Sequence, residues 1–156
     1  MSIQRLSHIG ICVADLARAR RFYQQALGFQ EEASLRVAGE PNTSLLSLSE
    51  VELEAVYLVR DGTRLELLHF ATPGHETPDA PRPMNRLGLT HVSLRVSDLD
   101  AVLAEIRLQG GRVLEETRIG SPRSGLCGIF VLDPDGTRIK LFQAPGDPAG
   151  PPLPGT

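Results

Sequence analysis

A chain of 156 residues, 41% hydrophobic and 22% charged, has the makeup of an ordinary globular protein, which excludes a fibrous or wholly disordered chain. It is long enough for one full core or for two small halves that share one. Sixteen Lys and Arg against 19 Asp and Glu leave a formal charge of −3 with the basic residues scattered, which excludes the cationic footprint a nucleic-acid partner demands. No apolar run approaches the ~20 residues that cross a bilayer. The start MSIQRLSHIG lacks the basic and apolar regions of an export signal, so a cytoplasmic protein with no membrane partner is expected. Cys12 and Cys127 are too few for a disulfide scaffold and are expected to be buried free thiols.

The first predicted element is a strand over residues 4–13, where Ile9, Ile11 and Val13 alternate with His8, Gly10 and Cys12. Asp15 then stands where an N-cap belongs, and a helical stripe follows through Leu16, Ala19, Phe22, Tyr23 and Ala26 to a stop at Gly28. The Asp61-Gly62 pair predicts a hairpin turn, because Gly tolerates positive φ, and the strand after it has Leu65 and Leu67 on its apolar face. Arg64, Glu66, Leu68 and Phe70 take the other face, whereas His69 falls opposite Glu66 and is expected on the surface. Proline has no backbone donor, so residues 71–86 read as a connector, which carries a surface His75. Residues 89–96 predict a second strand with Val92, Leu94 and Val96 apolar and His91, Ser93 and Arg95 opposite. Asp98 caps a helix whose stripe is Leu99, Val102, Leu103 and Ile106, ended by Gly110-Gly111. A second turn at Asp135-Gly136 precedes a last strand with Ile139 and Leu141 inside and Arg138, Lys140 and Phe142 on the other face. The Pro-rich tail, 144–156, is expected to be disordered or extended.

These elements repeat. His8 and His91 are 83 positions apart, as are Asp15 and Asp98, while Asp61 and Asp135 are 74 apart, so the first copy carries about nine extra residues before its final hairpin. The expected organisation is a first module over 1–70, a connector over 71–86, a second module over 87–143 and a tail. Each final strand offers one central inward position: Glu66 in the first copy and Lys140 in the second.

The stretches HIGICVADL with RRFYQQALGF, THVSLRVSDL, and FVLDPDGTRIKLF resemble the vicinal-oxygen-chelate superfamily, which includes glyoxalases, methylmalonyl-CoA epimerases, extradiol dioxygenases and metal-free bleomycin-binding proteins. The resemblance covers about residues 3–143. It implies an α+β fold of two tandem βαβββ modules whose curved mixed sheets enclose a cavity. It further implies one divalent metal ion (Zn, Mn, Ni or Fe) held by His8, Glu66 and His91, a small-molecule substrate and a homodimer. The fourth ligand position in such proteins commonly holds Glu; here it is Lys140, whose ammonium has no lone pair and repels a cation. Two imidazoles and a carboxylate still suffice for a site with open positions.

The expected function is that of a metal-dependent lyase or isomerase acting on a small oxygenated metabolite, with Glu66 as the catalytic base and Lys140 and Arg95 binding substrate. Arg64 and Arg138 share a face with the candidate ligands and are further candidates for clamping a carboxylate or phosphate. Two alternatives stay open. One is a metal-free small-molecule binding protein, in which Glu66 pairs with Lys140; the other is an Fe(II) extradiol-type dioxygenase.

Overall fold

The computed structural model describes residues 2–78, 82–121, 123 and 125–150. The chain divides into two compact units, Met1–Asp79 and Ala80–Thr156. The first unit contains β1 (Ile9–Cys12), α1 (Leu16–Arg21, continued by a π-helical turn over Phe22–Ala26), β2 (Gln30–Ala38), α2 (Asn42–Leu46), β3 (Glu52–Arg60) and β4 (Thr63–Thr72). The second contains β5 (Val92–Arg95), α3 (Leu99–Leu108), β6 (Arg112–Ser121), β7 (Leu126–Leu132) and β8 (Arg138–Gln143). Each unit is a four-stranded mixed sheet, ordered β1-β4-β3-β2 and β5-β8-β7-β6. This is an α+β fold of two tandem βαβββ modules.

The order follows from chemistry that the repeat shares. β1 pairs parallel with β4, and β5 with β8, so each first strand needs a crossover before its partner, and a helix begins that crossover. Asp15 and Asp98 start those helices: both have extended backbones, and their carboxylates accept from the amides of Arg18 at 2.9 Å and Ala101 at 3.0 Å. Leu16, Ala19, Phe22 and Tyr23 are buried under the first sheet, and Leu99, Leu103 and Ile106 under the second. The strands supply the other half of each core, with Leu65 and Leu67 from β4 and Ile139 and Leu141 from β8 at most 1% exposed.

Several expectations need correction. The helical stripe does not continue to Ala26. The π turn over Phe22–Ala26 shifts the phase by one residue, so Leu27 is buried in its place and Ala26 is half-buried. The predicted strands 4–13 and 89–96 are shorter: pairing is confined to Ile9–Cys12 and Val92–Arg95, leaving His8 and His91 just ahead of the paired residues. The Asp61-Gly62 turn is a two-residue hairpin with φ of 49° and 74°, but the second hairpin is wider. There the buried Asp133 carboxylate accepts from the amides of Asp135 at 2.9 Å and Thr137 at 2.7 Å, which organises the whole of 133–137. Cys127 is buried, and burial pushes its thiol pKa up, whereas Cys12 is exposed on the face of β1 that includes Gly10. β4 extends to Thr72, into the stretch read as connector.

The nine extra residues have a location. Thirteen residues, 39–51, join β2 to β3 and include α2, whereas four, 122–125, join β6 to β7. Part of the predicted tail makes specific contacts: Arg95 donates to the carbonyls of Ala144 at 2.9 Å and Pro145 at 2.5 Å, and Asp147 accepts from the Ala149 amide at 2.8 Å. The remainder of the tail, 151–156, and residues 79–81 of the connector lie outside the described residues.

Because each cap satisfies an otherwise exposed helix amide, Asp15→Ala and Asp98→Ala are each expected to destabilise the protein by about 1 kcal/mol in urea unfolding. The corresponding Asn variants, which keep an acceptor, should lose much less.

Candidate functional site

In the first unit, pairing of Gly10 with Glu66 brings His8, two residues earlier on the same face, alongside the carboxylate. His8 Nε2 lies 3.1 Å from Glu66 Oε2, and their side chains are 35% and 14% exposed. Directly across the β3–β4 ladder, Tyr57 is hydrogen-bonded to Glu66. That bond, reinforced by burial and by the carboxylate's charge, pushes the Tyr57 phenol up to about 12. Tyr57 therefore remains a neutral donor to Glu66 at any physiological pH. Its ring also meets His8 edge-on, with centroids 5.5 Å apart. The other imidazole nitrogen of His8, Nδ1, is 3.0 Å from Ser7 Oγ.

The second unit repeats this frame with different chemistry. His91 Nδ1 is 2.9 Å from Thr90 Oγ1, and its ring stands edge-on to Phe130 at 5.3 Å. Phe130 pairs with Lys140 across the β7–β8 ladder, as Tyr57 pairs with Glu66. The carboxylate and its phenol donor have thus been replaced together by an ammonium and a ring that has no hydroxyl. Lys140 Nζ lies 5.0 Å from the Phe142 ring centroid. Burial, and then the positive charges of Lys140 and Arg138, hold the pKa of His91 below the ordinary imidazole range, so it is neutral with a lone pair to offer at pH 7.

Donor chemistry decides which of these residues fit a divalent ion. A hydroxyl lies against Nδ1 of each imidazole, so Nε2 is the nitrogen that would be offered to a metal, and a Glu66 oxygen lies beside the Nε2 of His8. His8, Glu66 and His91 fit; Lys140 does not. Among the described residues no three His, Cys, Asp or Glu side chains gather in one cluster. The structure brings His8 and Glu66 together in the first unit, and His91 near Lys140 in the second.

The arginines expected to face a ligand have separate employments. Arg64 forms a two-pronged pair with Glu32, at 2.5 and 2.8 Å, and donates to the Ser7 carbonyl at 3.2 Å. Glu32 in turn has its pKa lowered by that bond. Arg95 holds the start of the tail, and Arg138 donates to the Arg82 carbonyl at 3.2 Å with its guanidinium over the Phe130 ring at 5.5 Å. His69 is half-buried, its Nδ1 3.4 Å from the Val13 carbonyl, and His75 is exposed. Tyr57, Phe130 and Arg82 were missed by sequence reasoning, since only strand register reveals the first two. Ser7 and Thr90 left a signal, a hydroxyl residue before each repeated histidine.

The sequence profile of the Glyoxalase/Bleomycin resistance protein/Dioxygenase superfamily matches residues 5–141, and the chain belongs to that superfamily. Among its relatives, the mitochondrial methylmalonyl-CoA epimerase of Bos taurus is 28% identical over 146 residues, covering 92% of this chain and 76% of that protein. A probable lactoylglutathione lyase of Synechocystis is 29% identical over 141 residues, covering 88% and 94%. Among solved structures, a glyoxalase family protein from Bacillus cereus superposes with a TM-score of 0.79 at 23% identity, over 94% of this chain and 97% of that one. The fosfomycin resistance protein FosX from Listeria monocytogenes, complexed with Mn(II) and sulfate, gives 0.61 at 18% identity over 92% and 94%. At these identities the two structural likenesses speak for the fold alone.

The hydrogen bond to Glu66 is the leading cause of the Tyr57 shift and the charge of Glu66 a further one, so Glu66→Ala, which removes both, is expected to bring the phenol down from about 12 toward the ordinary ~10. Ultraviolet difference titration checks it. Tyr57→Phe serves as the blank for Tyr23, the other tyrosine in the chain.

Proposed function

We propose that this protein is a divalent-metal-dependent isomerase or lyase acting on a small oxygenated metabolite, with His8, Glu66 and His91 as metal ligands and Glu66 as the base. The observation that carries the reading is the approach of His8 Nε2 to Glu66 Oε2 at 3.1 Å, with Ser7 and Tyr57 orienting the two groups from behind. His91 joins them by the superfamily resemblance and by its equivalent place in the repeat. The names of the relatives support isomerase or lyase chemistry over the dioxygenase alternative.

When bound, a divalent cation supplies the positive charge that favours loss of a proton beside a carbonyl. Glu66 accepts that proton on its carboxylate; its return to the neighbouring atom, or delivery of a proton from water to the opposite face while Glu66 later gives its own to solvent, gives the isomer. Tyr57 keeps the carboxylate positioned by donating to it, and remains protonated while it does so. Lys140, having no lone pair, stands aside from the cation and interacts with a negatively charged part of the substrate. The protein works as a cytoplasmic homodimer in this reading.

Anaerobic calorimetric titration with Zn(II), Mn(II), Ni(II) and Fe(II) tests the ligand set. Wild type is expected to bind at least one of these ions. His8→Ala, Glu66→Ala and His91→Ala should largely abolish binding, and Lys140→Glu should tighten it by adding a carboxylate and removing a repelling charge. Wild-type protein that binds none of the four, beside a Lys140→Glu variant that binds readily, would make this a metal-free binding protein. For the reaction, metal-loaded protein is assayed in deuterated water for deuterium uptake into methylmalonyl-CoA and separately for formation of lactoylglutathione. Either activity should vanish in Glu66→Gln.

A further inference from the structure

Among the described residues, two cations of the second unit are ion-paired and the others, including three near His91 and its neighbouring cavity, are not. Arg107 and Arg118 are paired with Glu115, and Arg118 also with Asp100. Arg82, Arg138 and Lys140 form no ion pair among the described residues, and the last two act together on His91. The repeat shows that this is a departure. Arg64, the counterpart of Arg138 at the 74-residue offset, is neutralised by both oxygens of Glu32. The glutamate 83 positions after Glu32 is Glu115, and it is turned away to Arg107, at 2.6 Å, and Arg118. The second module has kept the arginine at the start of its last strand and lost the carboxylate that would quench it.

A cavity adjoins that arginine. It measures about 200 Å³ and is lined by Arg82, Leu89, Thr90, Gly136, Thr137 and Arg138. This is smaller than the roughly 300–1,000 Å³ of a complete ligand pocket, and suits one charged group at the end of a larger molecule. Arg82 is fixed at its wall by donating to the carbonyls of Arg86, Leu87 and Leu89. Arg138 spends one nitrogen on the Arg82 carbonyl and rests its face on Phe130, which holds the fork in place and leaves other N–H groups for a ligand. Thr90 links the cavity to the candidate metal site, since its hydroxyl also contacts His91 Nδ1. Arg95, the arginine expected from sequence to bind substrate, is engaged with the tail carbonyls instead.

We propose that the cavity of Arg138, Arg82, Thr90 and Thr137 is an anion subsite that takes a carboxylate or phosphate group of the substrate, whose reacting end lies toward His91. The subsite stands on this geometry alone; the position of the reacting end rests on the function proposed above. Planar, two-pronged donation makes Arg138 the principal contact, and Lys140 adds positive potential nearby.

The test uses the full chain freed of metal by chelator, so that an anion cannot bind through a cation, at low ionic strength where screening is weak. Inorganic phosphate and malonate are titrated calorimetrically into wild type, Arg138→Gln, Arg138→Lys and, as a control for bulk charge, Arg112→Gln on the exposed start of β6. At least one anion should bind wild type, and the tighter of the two identifies the group. Arg138→Gln should weaken it about tenfold or more, Arg138→Lys should retain part of the affinity as a point charge without the fork, and Arg112→Gln should match wild type. Binding of neither anion, or equal losses in Arg138→Gln and Arg112→Gln, overturns the subsite. Metal titration of Arg138→Gln keeps the two proposals apart: unchanged metal affinity with lost anion binding upholds both. Absent metal binding with intact, Arg138-dependent anion binding sinks the metal site and leaves the subsite standing.

Discussion

Parallel pairing of the first strand of each module with its last is the constraint on which the rest depends. In the first unit it sets Gly10 opposite Glu66 and so puts His8 against the carboxylate. A slip of one residue would turn Glu66 toward the core and a leucine toward His8, which the burial of Leu65 and Leu67 prevents. The hydrophobic face therefore enforces the polar one. Because the parallel partner must be reached by a crossover, the same constraint demands the capped helix beside each sheet. Asp15 and Asp98 belong to the machinery of the site for that reason, although neither takes part in its chemistry.

Duplication supplied two copies of this frame, and the copies have diverged as units of several residues. Tyr57 with Glu66 became Phe130 with Lys140 at matching register positions. A phenol that donates to a carboxylate has no task once an ammonium replaces it, whereas a bare ring still gives His91 an edge-on neighbour. Arg64 with Glu32 became Arg138 without a carboxylate, while Glu115 serves Arg107 and Arg118. Each change is consistent with the other, since both replace negative charge by uncompensated positive charge around one histidine.

Much of the frame was legible because it lies in periodicity. Alternation at Ile9, Ile11 and Val13, the offsets of 83 and 74, and the two capping aspartates each express a local rule, and local rules are what a single sequence displays. The pairing of His8 with Glu66 could be inferred, since alternation fixes which residues share a face. The partners behind them could not. Tyr57 meets Glu66 only through the β3–β4 register, which depends on the two-residue turn at Asp61-Gly62, and the second hairpin has a different loop. The π turn in the first helix was hidden because Ala26 and Leu27 are both apolar, so either phase reads as a stripe. Arg138 and Arg95 share a strand-face pattern, and only packing against Phe130 and against the tail distinguishes the arginine beside the cavity from the one that is occupied.

The asymmetry between the modules bears on how a substrate would lie. An exact repeat carrying two carboxylates would present matching groups from both halves and would read a small ligand alike in either direction. Here one half offers a carboxylate with a neutral phenol behind it, and the other offers a neutral imidazole among cations. In the proposed reading, the negative end of a substrate is drawn to the cations of the second unit, Arg138 among them. Lys140 would add to that attraction, since the charge that repels a cation attracts an anion. In that reading one residue both withholds a metal ligand and strengthens the hold on the substrate's negative end.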